Sequence, residues 1–137
     1  MSSSLLPIEA RHLQAAPQAR YVREERVPVR CLDDVTRESL KPSSRVLLKL
    51  DVQGYEDRVL AGAEKILDQV VLIEAELSLC RLYDGQLLCV DMLGMLAELG
   101  FELACSEDAF VDPVSGRTLQ IDGIFARSQT SASKGRE

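Results

Sequence analysis

The chain has 137 residues, 46% of them hydrophobic and 28% charged, with a formal net charge of −6. That is enough length and apolar material for one domain with a real core, and the negative balance argues against a nucleic-acid backbone or an anionic membrane surface as partner. No apolar run approaches the roughly 20 residues of a membrane span, and MSSSLLPIEARH has no basic stretch leading into an apolar one, so a cytoplasmic α/β domain is expected.

Residues 1–20 are weakly patterned, with a Ser triplet, two prolines and room for one helical turn near 9–13. In VPVRCL, residues 27–32, Val27, Val29 and Cys31 alternate, but Pro28 limits the segment to an edge strand or an extended connection. Asp33 or Asp34 is placed to cap a short helix over 34–40, which Pro42 ends. The chain then turns on residues 45–67, RVLLKLDVQGYEDRVLAGAEKIL. Val46, Leu47, Leu48 and Leu50 make an apolar run that suits a strand covered on both faces. Gly54 marks a tight turn, and from Tyr55 the apolar positions Val59, Leu60, Ala63, Ile66 and Leu67 fall at helical spacing.

A second strand is predicted over 70–77 (VVLIEAEL), far enough on for a helix and a parallel crossover. A turn at 83–86 leads to an amphipathic helix over 87–99, closed by Gly100. Strands at 101–106 and 118–126 flank a turn carrying Asp112, Pro113 and Gly116, which makes them an antiparallel hairpin. Residues 128–137 are polar and are expected to be a disordered tail. Cys31, Cys80, Cys89 and Cys105 form no CxxC pair, and the apolar neighbours of the last three predict reduced core thiols rather than a disulfide frame or zinc site.

Alternation along strands puts Lys49 and Asp51 on one face of the first and Glu74 and Glu76 on one face of the second. Parallel neighbours would gather all four near the carboxy edge of the sheet, where open α/β sheets keep their chemistry. Such groups must pair, meet water or face a cleft, and a Lys49–Glu74 ion pair is the simplest outcome for two of them. The carboxylates could otherwise act as a general base, hold an ammonium or hydroxyl, or ligate a hard cation; the spacing is not that of a metal loop, and no metal is expected. His12, the one histidine, is a surface residue unless its loop folds over the cleft, where it would serve as a base. Tyr83 and Gln86 could line the same mouth. No GxGxxG, GxGxG, GxxxxGK[ST], GxSxG or HExxH occurs.

The KLDVQGYE turn, the GA inside the following helix, the IEAEL strand, the YDGQ turn, the GF before the third strand and the closing QIDGIF resemble the FkbM-type family of S-adenosylmethionine-dependent methyltransferases. The upstream SSSLLP and VPVRCLDD extend the likeness over residues 2–127. It implies a partial class I methyltransferase (Rossmann-like) sheet: parallel strands with helices and a C-terminal antiparallel hairpin, the 46–51 strand being the fourth of seven. The earlier strands, the glycine-rich cofactor loop and the acidic residue that grips the cofactor ribose are expected to precede Ser2. The resemblance further implies S-adenosylmethionine as cofactor and a hydroxyl on a sugar or secondary metabolite as acceptor. It puts Asp51 and Gln53 at the border of cofactor and substrate, with Glu76 opposite; Tyr83, from its place at the same mouth, is expected on the substrate side. Asp51 or His12 would be the base.

Two readings follow. One is an O-methyltransferase represented without its glycine-rich loop. The other is a non-catalytic, degenerate methyltransferase half that survives as a dimerisation or interaction module. Without earlier strands the 46–51 run lies at an open edge, so it is expected either to recruit 27–32 or to form a homodimer edge to edge.

Overall fold

The computed structural model describes residues 3–128. Its elements in chain order are α1 (Ala10–Ala15), a 3₁₀ turn at Pro17–Ala19, α2 (Leu32–Thr36), β1 (Val46–Leu50), α3 (Glu56–Ala61), a 3₁₀ turn at Leu67–Gln69, β2 (Val70–Ser78), α4 (Cys89–Glu98), β3 (Phe101–Val111) and β4 (Thr118–Arg127). The strands form one mixed sheet in the order β1-β2-β4-β3. β1 and β2 are parallel, and β4 runs antiparallel to both β2 and β3. The expected hairpin is present, with its second strand innermost. The tail expected over 128–137 lies, apart from Ser128, outside the described residues.

One face of the sheet is packed. Leu48 and Leu50 of β1, Ile73, Ala75 and Leu77 of β2, and Phe125 of β4 alternate onto it and are buried with Leu60 of α3, Met92 and Leu96 of α4, and Phe101. Fully burying a side chain of this size contributes roughly 1.5–3 kcal/mol, so this layer carries most of the apolar stabilisation. Arg127 ties its far end together: Nε donates to the Val70 carbonyl at 3.1 Å, and the guanidinium stacks 4.6 Å from the centre of the Phe101 ring.

The opposite face is largely open, which corrects the expectation of a strand covered on both sides. Leu47 is 58% and Ile124 38% exposed, and Lys49 pairs with Glu74 at 2.6 Å beside them. An apolar run does not reveal coverage, because coverage depends on what packs from elsewhere in the chain. A second correction concerns 27–32, which forms no strand and leaves Val27 and Val29 exposed. Pro28 lacks a donor, and the segment is anchored elsewhere: the Asp33 N–H donates to the Gly62 carbonyl at 2.9 Å. Its carboxylate accepts from the Lys65 and Ile66 N–H groups at 3.0 to 3.2 Å. That carboxylate also takes over where α3 stops at Gly62, so the helix expected to run to Leu67 continues as turns. Cys105, expected in the core, is exposed on β3, and all four cysteines are free thiols.

A smaller apolar cluster, Ala15, Leu82, Tyr83 and Leu119, joins the N-terminal arm to the loop after β2. The Glu9 N–H donates to the Leu82 carbonyl at 2.9 Å and the Asp84 N–H to the Pro7 carbonyl at 2.8 Å. These bonds fix α1 against the Tyr83 loop, over the carboxy ends of β1 and β2.

Candidate functional site

β1 ends at Leu50, and the chain reverses through Asp51–Tyr55 with Gln53 at φ 55° and Gly54 at φ 97°. Left-handed backbone at glutamine costs about 1 kcal/mol, and the surroundings hold it there. Gln53 Nε2 donates to Asp51 Oδ1 at 2.9 Å and to Glu76 Oε2 at 3.2 Å; its Oε1 accepts from the Tyr83 hydroxyl at 2.6 Å. The Ser4 hydroxyl donates to the Gln53 carbonyl at 2.7 Å. One side chain thus joins Asp51, Glu76 and Tyr83, all expected at the site.

The turn is held from inside by Glu56, the first residue of α3. It is only 7% exposed, and its Oε1 accepts from the N–H groups of Val52 and Gly54, each at 3.2 Å. Burial raises the Glu56 carboxyl above its ordinary value, against the pull of these backbone donors. The loop after β2 is braced in the same way by Gln86. Its Oε1 accepts from the Leu82 and Tyr83 N–H groups at 2.5 and 2.7 Å, and its Nε2 donates to Ser78 Oγ at 2.8 Å.

Glu76 is the electrostatic focus. Gln120 Nε2 donates to its Oε2 at 2.8 Å, in addition to the bond from Gln53. Burial pushes the carboxyl up to about 7, helped by the negative charges of Asp51, Asp122 and Glu56, while the Gln120 bond pulls the other way. Asp122 is raised as well, chiefly by burial, with Lys49 opposing. A carboxyl that titrates near neutrality beside hydrogen-bond donors fits proton transfer.

A cavity of about 330 Å³ lies against Glu76, lined by His12, Gln18, Gln53, Phe110 and Gln120, with Ala16 and Ala19 completing the wall. His12 is on α1 and 6% exposed, so the N-terminal arm does fold over this end of the sheet. Its ring meets Tyr83 edge to face at 5.1 Å between centroids, and burial holds it below the ordinary imidazole value, the Leu82 carbonyl opposing. His12 Nδ1 is buried without a hydrogen-bond partner among the described residues. Tyr83 is 1% exposed and meets two residues of the cavity wall, Gln53 and His12; Asp51 is exposed and joins through the Gln53 amide. Gln120 and Phe110 were not anticipated. The alternation of TLQID does put Gln120 and Asp122 on one face, but only the strand order brings that face beside Glu76.

Residues 2–103 match the methyltransferase FkbM domain, and the chain belongs to that family. Comparison with curated proteins and with solved structures yields no match. Among the described residues no helix is long and apolar enough to cross a membrane.

Proposed function

We propose that this chain forms the acceptor side of an S-adenosylmethionine-dependent O-methyltransferase with a partial class I, Rossmann-like sheet, working in the cytoplasm on a small hydroxylated molecule such as a sugar or secondary metabolite. The observation that carries the reading is the cluster at the carboxy ends of the parallel pair β1 and β2, where Gln53 binds Asp51, Glu76 and Tyr83 together beside a cavity, in a chain of the FkbM family. Four free thiols suit a reducing compartment.

The lining residues suit the reactants of such a transfer. Among the described residues they include no lysine or arginine but do include Glu76, a choice that favours a sulfonium over a phosphate. Asp51 and Gln53 would hold S-adenosylmethionine, which would supply an electrophilic methyl group. The protein's own part is to orient the acceptor hydroxyl and remove its proton. Glu76, in exchange with its acid form near neutral pH, takes that proton at Oε1 or Oε2. Gln120 and Gln53 keep the carboxylate aimed, Tyr83 fixes the Gln53 amide, and His12 closes the cavity as a neutral ring.

The test is methyl transfer to a panel of hydroxylated acceptors, followed from pH 5.5 to 8.5. The rate should rise to a plateau above about pH 7, as Glu76 loses its proton. Glu76→Gln should lower kcat about 100-fold and abolish that rise. Activity unchanged in Glu76→Gln would remove Glu76 from the mechanism.

A further inference from the structure

Phe110 reaches the cavity through an irregularity in β3. In the antiparallel pairing with β4, Asp108 lies opposite Ile121 and Phe110 opposite Gln120, two steps along β3 against one along β4. Ala109 is therefore an extra residue. A regular ladder would set Ala109 opposite Gln120 and Phe110 opposite Leu119, and a one-residue slip moves a side chain to the other face of the sheet. Residues directly opposite share a face, so the bulge places Phe110 on the open face, in one row with Gln120 and with Ser78 of β2. The shift is reversed at once: Val111 lies opposite Thr118, one step along β3 against two along β4. The displacement is thus confined to the Phe110 pair, and re-aiming one side chain is what bulges beside active sites do.

The ring is held where the bulge puts it. Phe110 is half-buried, packs against the cluster of Ala15, Leu82, Tyr83 and Leu119, and lies 5.5 Å from the His12 ring at a tilt of 48°. Among the described residues lining the cavity, it supplies the one all-carbon ring. Around it stand the amides of Gln18, Gln53 and Gln120 and the Glu76 carboxylate. A flat apolar surface among a few hydrogen-bonding groups suits a ligand that is itself a ring, with a C–H face and hydroxyls at its edge. An open-chain polyol offers the same hydroxyls without the face.

We propose that Phe110 is the platform on which the acceptor's ring lies, and that it selects hydroxylated rings over open-chain polyols, with the Gln18 and Gln120 amides binding hydroxyls at the ring's edge. The role as acceptor platform rests on the methyltransferase reading; the preference for rings does not.

The chain has no tryptophan, so Phe110→Trp sets a single indole in the cavity wall and keeps a flat ring there. Its fluorescence is titrated, without any methyl donor, with myo-inositol and methyl glucopyranoside as rings and with sorbitol as the open chain. At least one ring should give a saturable change, with a Kd about fivefold or more below that of sorbitol. Calorimetry on the parent should show the same order. Phe110→Leu keeps the apolar contact with the cluster but has no flat face; it should bind ring and open chain within about twofold of each other, with its far-UV circular dichroism unchanged. No saturable signal from either ring, an equal response to sorbitol, or a ring preference that survives in Phe110→Leu would each overturn the proposal. Ring binding that depends on Phe110, with no methyl transfer to either ring when S-adenosylmethionine is added, would support the platform and contradict the methyltransferase reading instead.

Discussion

Gln53 and Glu76 show how a few polar side chains can dominate a small site. Glu76 titrates at about 7 in the fold against an ordinary 4.5, so between those values the folded chain holds a proton that the unfolded chain has lost. By linkage its contribution falls as pH rises through that window. Glu76→Gln should therefore be more stable than the parent at pH 8, with a higher Tm, and converge with it near pH 4. A thermal-melt series across pH reads this directly; parallel curves for the two proteins would show that Glu76 ionises normally. At this scale the sequence was only partly legible. The alternation of Lys49, Asp51, Glu74 and Glu76 announced a polar patch, and Lys49 with Glu74 satisfied itself as the simplest outcome. The burial of His12 was not legible. It depends on backbone bonds from the arm to Leu82 and Pro7, contacts between segments some 75 residues apart that no local pattern encodes.

The turn between β1 and α3 is the element that makes the site. Gly54 at φ 97° has Gln86 Cβ and Leu6 Cδ1 3.1 Å from where a Cβ would stand. Gly54→Ala should cost roughly 1–3 kcal/mol, through both left-handed strain and crowding of the Tyr83 loop. Glu56 accepts two backbone N–H groups from the same turn. Glu56→Ala should cost about 1–3 kcal/mol in urea unfolding, since those donors lose their partner, while Glu56→Gln keeps an acceptor and should cost less. Equal losses for Ala and Gln would show that charge rather than hydrogen bonding holds the turn. Strand and helix positions were well marked because their periods are local. The length of α3 was not, because Asp33, from a distant segment, captures the Lys65 and Ile66 N–H groups and ends the need for helical partners.

At the scale of the molecule, the sheet has one packed face and one open face, and its cavity lies where the N-terminal arm crosses the open side. The hairpin and the parallel pair were legible from strand spacing and turn residues. Strand order was not: placing β4 beside β2 is what carries Gln120 to Glu76, and periodicity is silent about neighbours. Family membership and geometry together make methyl-donor binding the central claim, and calorimetric titration of the purified chain with S-adenosylmethionine tests it most directly. We predict measurable binding that Asp51→Ala weakens about tenfold, as expected when a carboxylate facing a cation is removed. No heat at millimolar ligand, or affinity untouched by Asp51→Ala, would contradict the assignment of Asp51 and Gln53 to the donor.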